Sequence, residues 1–299
     1  MIYFLLVILA LLWGLSFLGT QVLLEVLAPM EILAVRWFLA FLVFSVLIVL
    51  KIIKVNYRGK PLKILLLLTV LQPCLYSILE TWGVKLTTSS ESSIFIALVP
   101  LMVVIENWLI FKQKSSRKVA GAILLSFAGV MVCVVFGPDF SVGSKMLGYL
   151  VLIGAVVSGG AYTVCAKRYM AEFSPMEVTY GLTIAGALVF NVLSLLEGNG
   201  FRGYQMLFTD WETGAALLYL GVGCSCVAYM IFNYSISRLK VAVAATIQTN
   251  AITVVGVLAG IVLGGEPWGW YTIVGMTMTI TGIVISSQDE KKSPQLQGN

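Results

Sequence analysis

Ten stretches of mostly apolar residues follow one another along the chain, at roughly 2–22, 31–53, 62–83, 90–111, 118–136, 147–168, 175–197, 213–235, 241–264 and 270–287. A helix that crosses a bilayer needs about 20 such residues. Each stretch therefore predicts one transmembrane helix. The connections between them are short, so neighbouring helices are expected to be antiparallel. Only the end of the sequence, SQDEKKSPQLQGN, is a polar tail. The first stretch, MIYFLLVILALLWGLSF, lacks a basic start and an A-x-A site, and reads as a retained helix rather than a signal peptide.

Composition carries this further. The 299 residues are 59% apolar and 11% charged, where a soluble domain holds about 25% charge. The class is an all-α integral membrane protein. The net charge of +5 does not point to nucleic acid, because the basic residues sit in short connections. Histidine is absent, which removes histidine metal ligands, general bases and proton relays. No P-loop is present, so direct ATP drive is not expected. Neither a metal nor another cofactor is implied. Cys74, Cys133, Cys165, Cys224 and Cys226 all lie in apolar stretches without a C-x-x-C, and read as small core residues.

The basic residues alternate from connection to connection. Lys51, Lys54, Arg58, Lys60 and Lys63 share one, and Lys112, Lys114, Arg117 and Lys118 share the next but one. Lys167 with Arg168, Arg238 with Lys240, and Lys291 with Lys292 continue the pattern. The other side holds Lys85, Lys145 and Arg202, and Arg36 lies inside the second stretch. By the positive-inside rule, both termini are expected to be cytoplasmic in a multi-pass plasma-membrane protein.

A repeat is visible at an offset of 153. It relates Tyr76 to Tyr229, Glu80 to Asn233, Lys85 to Arg238 and Gly129 to Gly282. The expected division is a first five-helix repeat over 1–140, a second over 141–288, and a polar tail over 289–299. Five is odd, so the second repeat would enter the membrane inverted. Inverted repeats are a transporter architecture, with substrate held between the halves.

Four features carry a family resemblance: LLWGLSF around Trp13 and Gly14, Arg36 early in the second helix, GVKLTTSSESSIFIALVPL running into the fourth, and LGGEPWGW around Glu266. The chain resembles the drug/metabolite transporter superfamily, specifically its EamA-type members, over essentially its whole length. The resemblance implies ten helices in two inverted halves. It also implies secondary transport of a small metabolite or drug, often export of amino acids or related compounds. One departure is visible: the connection after helix four reads FKQKSSRK, where the family usually carries an acid like Glu266.

Within this frame the residues that stand out are the polar ones inside apolar stretches. Glu80 shares a helix stripe with Pro73, Tyr76, Ser77 and Gly83. An ionisable group in a spanning segment is costly and marks function by default. It can take up a proton, attract a substrate ammonium, or pair with Lys85 or Arg36. Asn233, its counterpart, is either a neutral contact in a shared site or polar glue between helices. Glu91 follows TTSS and is expected to cap a helix start, with a coupling role as the alternative. Glu106 lies about 22 Å farther along and is expected to pair with a loop cation such as Lys112. Arg36 is expected to pair with Glu31 or Glu80, or to anchor a substrate carboxylate.

Trp13, Phe17, Tyr76, Phe95, Tyr162 and Tyr229 would offer aromatic faces to flat substrates or cations. Trp82, Trp108, Trp211, Trp268 and Trp270 lie near helix ends and read as interfacial belts. Gly256, Gly260 and Gly264 form a small-residue stripe for close helix packing, within one chain rather than between two; monomer and homodimer both remain open. Asn250, with Thr246, Gln248 and Thr253, makes the ninth stretch polar at one end, as cavity lining or as interhelical bonding. No intramembrane pair of acids stands at catalytic spacing, so an enzyme is not expected. The expectation is a secondary carrier for a small-molecule substrate, with protons as a possible coupling ion. The alternatives are a carrier of organic cations and an uncoupled facilitator or channel.

Overall fold

A computed structural model describes residues 2–111, 117–137, 145–170, 172–238 and 241–292. No strand occurs among them. The helices are α1 (Ile2–Leu24), α2 (Pro29–Val49), α3 (Leu62–Leu86), α4 (Ser89–Ile110), α5 (Arg117–Val135) and α6 (Met146–Tyr169). They continue as α7 (Pro175–Leu196), a short α8 (Arg202–Thr209), α9 (Trp211–Arg238), α10 (Val241–Val262) and α11 (Trp270–Lys292).

Seven of these, α1 to α4, α6, α7 and α9, are each long and apolar enough to cross a membrane. The other long helices contribute shorter apolar stretches, Leu124–Val135, Ala251–Val262 and Trp270–Ile285. The chain is a multi-pass membrane protein. Leu124, Phe127, Leu188, Val192 and Leu258 are exposed around the bundle, as a lipid-facing surface requires, since nothing there competes with acyl chains. Trp108, Trp211, Trp268 and Trp270 are exposed as well. Trp82 is half-buried instead, beneath the Lys85 ammonium at 4.8 Å from the ring centroid.

Two helix starts are satisfied by nearby carboxylates, which supply partners for N–H groups that lack one inside the helix. At α7, Ser174 and Glu177 form a capping box behind Pro175. Glu177 also holds the preceding loop, accepting from Asn56 N at 3.0 Å and from Lys60 Nζ at 2.5 Å. At α2, Glu31 Oε2 accepts from Ala28 N at 2.8 Å.

Three helices are interrupted. In α3 the segment Val70–Leu75 is a π-type turn in which Gln72 leaves helical angles (φ −144°, ψ 118°). Pro73 follows, with no N–H to donate and a ring that crowds the preceding turn. In α4 the segments Ser89–Ile96 and Val99–Phe111 are separate helices, because Pro100 cannot donate to the carbonyl of Ile96. In α9 a π-type stretch covers Tyr219–Ala228; such turns cluster at functional sites.

Helix pairing positions these breaks. α5 lies against α11, α2 against α7, α1 against α10, and α3 against α6. Two small-residue contacts draw helices unusually close. Between α5 and α11, Ser126 Oγ donates to the Thr279 carbonyl at 3.0 Å, and Thr279 Oγ1 donates to the Ser126 carbonyl at 3.3 Å. These two residues are 153 positions apart. Between α10 and the first half of α4, Gly256 meets Ser93 and Gly260 meets Ser89 and Ser90.

Candidate functional site

The broken helices converge on one internal cavity of about 80 Å³. Gln72 and Tyr76 line it from the break in α3, and Ile96, Val99 and Pro100 from the break in α4. Trp13, Ser16 and Phe17 come from α1, Tyr162 and Thr163 from α6, and Tyr229 and Phe232 from α9. Discontinuous helices at a cavity are how a membrane protein exposes backbone groups to a ligand without exposing them to lipid.

The cavity is apolar apart from a small polar focus. Arg36 and Glu80 both line it and both are buried. Arg36 Nη1 stands 3.8 Å from Glu80 Oε2, an attractive separation that is too long for a hydrogen bond. Arg36 Nε is held instead by Ser225 Oγ at 2.6 Å. Ser225 belongs to the π-type stretch of α9, which also offers its Cys224 carbonyl to Trp13 Nε1 at 3.2 Å. Glu80 Oε2 has no hydrogen-bond partner among the described residues. The site thus presents a cation anchored through Ser225 and, facing it, a carboxylate whose Oε2 is ion-paired but makes no hydrogen bond, walled by aromatic rings. Trp13 meets Tyr229 edge-on with centroids 5.1 Å apart, and Tyr162 stacks on Phe232 at 6.3 Å. The volume is below the ~300–1,000 Å³ of a drug-sized pocket, so this state admits only a small molecule or a few waters.

Trp13, Phe17, Arg36, Tyr76, Glu80, Tyr162 and Tyr229 of the expected site residues are thus brought together around one space. Others are elsewhere. Asn233 is fully buried behind the cavity wall, not in it. Its Oδ1 accepts from Tyr162 Oη at 2.7 Å and its Nδ2 donates to Thr179 Oγ1 at 3.0 Å. Of the two readings of Asn233, polar glue is the one the geometry carries, because both of its polar atoms are engaged. Phe95 stacks on Tyr149 at 5.3 Å, nearly parallel, in the core. Glu91 lies near the start of α4, where Thr88 is the N-cap, and accepts from Lys145 Nζ at 3.3 Å and Tyr149 Oη at 3.0 Å. Asn250 is on α10, among residues whose side chains lie outside what the structure describes, as do Thr246 and Gln248. Arg36 takes Glu80 and not Glu31, which is occupied at the start of α2. Lys112, the expected partner of Glu106, lies outside the described residues.

Gln72, Ser225 and Thr163 were not singled out from sequence. The available signals were Pro73 and Pro100, each inside an apolar run where a helix interior would reject them.

Beyond the cavity, the start of α4 is closed by a second carboxylate. Glu266, in the connection between α10 and α11, accepts from Ser89 N at 3.0 Å, Ser89 Oγ at 2.6 Å and Ser90 N at 3.1 Å. A carboxylate there satisfies orphan helix donors and meets the positive end of the helix dipole. Each hydrogen bond to a charged group contributes about 1.5–3 kcal/mol. Glu266→Ala is therefore expected to lower stability by more than one such bond, read as a fall in thermal midpoint in detergent, with Glu266→Gln intermediate.

The model of the EamA-like transporter family matches residues 1–135 and again 146–288. The chain belongs to the EamA-like transporter family. Among its EamA-type relatives is the uncharacterized transporter YcxC of Bacillus subtilis, 29% identical over 95% of this chain and 92% of that protein. An uncharacterized transporter of Archaeoglobus fulgidus is 24% identical over 91% of this chain and 94% of its own length. A probable terminal-alkyne amino-acid exporter of Streptantibioticus cattleyicolor is 24% identical over 70% of this chain and 68% of that protein. One crystal structure superposes on 97% of the EamA-type chain with a TM-score of 0.70 at 16% identity, covering 98% of its own chain. That likeness concerns the fold alone.

Proposed function

We propose that this EamA-type transporter is a secondary-active carrier of the plasma membrane that exports a small metabolite, an amino acid or related compound, by alternating access with proton coupling through Glu80. The observation that carries the reading is the buried Arg36–Glu80 couple in a cavity between broken helices, with Glu80 Oε2 ion-paired but without a hydrogen bond. A zwitterion fits such a couple: its carboxylate goes to Arg36, its ammonium to Glu80, and its side chain to the aromatic wall. The name of the Streptantibioticus relative points the same way.

The proposed scaffold is ten transmembrane helices in two inverted repeats, 1–140 and 141–288, with the tail 289–299 and both termini in the cytoplasm. Two features support it. The family model matches twice, once on each side of residue 140. The helix pairs are also consistent with exchange of the halves: α2 with α7 and α5 with α11 would map onto themselves, and α1 with α10 would map onto α6 with α4. A rocking motion about such an axis would open the cavity to one side at a time.

An organic-cation carrier is the second reading, favoured by the aromatic wall and Glu80. Arg36 in the same cavity opposes it by adding a like charge.

The test is proton flux in proteoliposomes loaded with a pH-sensitive dye, with amino acids, quaternary amines and small drugs added in turn. The expected result is an amino-acid-dependent flux that Glu80→Gln reduces at least about 100-fold, the loss general acid–base groups produce elsewhere. Size-exclusion chromatography of the variant checks that it is folded. Uptake with unchanged proton movement in Glu80→Gln would remove Glu80 from coupling.

A further inference from the structure

The stripe of α4 that lines the cavity, Ile96, Val99 and Val103, continues one turn farther to Glu106. Glu106 is buried, and its Oε2 has no hydrogen-bond partner among the described residues. The oxygen is aimed at Gly160 of α6, where an added Cβ would stand 2.8 Å from it. Gly159 and Thr163, on either side of Gly160, line the cavity. The absent side chain of Gly160 is what gives the carboxylate its room. Along α4 the order is therefore the Glu266 closure at Ser89 and Ser90, the cavity at 96–103, and Glu106 beyond it.

We propose that Glu106 is a second proton-binding site of the carrier, at the end of the central cavity away from the Glu266 closure. A buried carboxylate oxygen without a partner is costly while the group is charged. With that end of the cavity shut, Glu106 holds a proton, and it releases the proton to water when that end opens. Glu80 and Glu106 then stand in series, Glu80 in the cavity lining and Glu106 beyond the lining at the far end.

The groups facing Glu106 fit this role. The titratable groups on this half of α6 are Tyr162, Cys165, Lys167, Arg168 and Tyr169, and none of them is hydrogen-bonded or ion-paired to Glu106 among the described residues. Tyr162 is bonded to Asn233, and Lys167 Nζ donates to the Ile236 carbonyl at 2.8 Å. The described side chains of α10 (251–262) and α11 (270–285) add only Tyr271 among titratable groups, and it sits by Glu266 and Lys145 at the opposite end.

This inference rests on the cavity being the transport site, but its test needs no substrate, so the two readings fail separately. Purified protein is treated with dicyclohexylcarbodiimide, which reacts with protonated carboxyls in apolar surroundings, and its peptides are mapped by mass spectrometry. The expected result is an adduct on Glu106 whose yield falls about tenfold per pH unit on the alkaline side of its titration, as for a single acid. The adduct is absent from Glu106→Gln. A second readout on unmodified protein covers the case in which the reagent cannot enter: the infrared band of a protonated carboxyl, present at acidic pH and missing from Glu106→Gln. No adduct together with no such band at any pH would show a permanently ionised, paired group. A band that alkaline pH does not remove would show a structural donor. Either result overturns the proposal.

Discussion

Replacing Arg36 by alanine is expected to cost about 3–5 kcal/mol of stability, because it leaves Glu80 as a buried charge with nothing to compensate it. Arg36 and Glu80 are each more than nine-tenths buried, so screening by solvent offers little relief. Glu80→Gln is expected to cost a similar amount from the other side, since the guanidinium cannot shed its proton. The double variant, Arg36→Ala with Glu80→Gln, removes both charges and should lie closer to the parent than either single one. Ser225→Ala, which deletes only the 2.6 Å bond to Arg36 Nε, tests the anchor alone and should cost about 1–3 kcal/mol. Thermal or denaturant unfolding in detergent reads all four. Additive losses in the double variant would mean that water in the cavity already solvates both charges. The couple would then be two independent polar groups rather than a site.

That couple also shows what the sequence could and could not disclose. A carboxylate inside an apolar run is visible from hydropathy, and its expense in lipid makes it a suspect before any fold is known. Arg36 is visible for the same reason, and with so few ionisable groups in the apolar runs the pairing is a short list. The membrane class is legible on the same ground, because apolar length is a property of the chain itself. Asn233 is the opposite case. Its offset from Glu80 suggested a shared site, yet its partners Tyr162 and Thr179 come from α6 and α7. A buried amide takes whichever donors and acceptors packing brings to it, and packing is not written in local pattern. Glu266 could be seen as part of a motif, but not its reach to Ser89 and Ser90 across 177 and 176 positions. The breaks at Gln72 and Pro100 lie between these cases. Proline announces a break, but not that two breaks meet at one cavity, with Tyr229 and Phe232 of α9 closing it.

Valine at Gly129 or at Gly282 is expected to prevent α5 and α11 from closing, with a loss beyond the roughly 1–3 kcal/mol of ordinary overpacking. Beside the Ser126 and Thr279 hydroxyls, the obstacles include backbone atoms, which cannot turn aside as a side chain end can. A Cβ on Gly129 would stand 2.5 Å from the Gly275 carbonyl oxygen, and one on Gly282 would stand 2.5 Å from that of Ala122. The two environments correspond: Gly129 meets Gly275 and Thr279, and Gly282 meets Ala122 and Ser126. If a two-fold exchange of halves governs this contact, the two substitutions should cost the same, as they would at an isologous interface. Gly121→Ala is the control, because nothing among the described residues lies within 4 Å of its added Cβ. It should be neutral or stabilising by up to about 1 kcal/mol through helix propensity. The measurement is the yield of monodisperse protein from membranes, followed by the thermal midpoint of whatever survives. Equal collapse at 129 and 282 with a healthy 121 variant places the weight of the fold on one reciprocal contact. A tolerated valine at one site only would mean that the halves meet there unequally, and an axis through Ser126 and Thr279 could no longer serve as the pivot for alternating access.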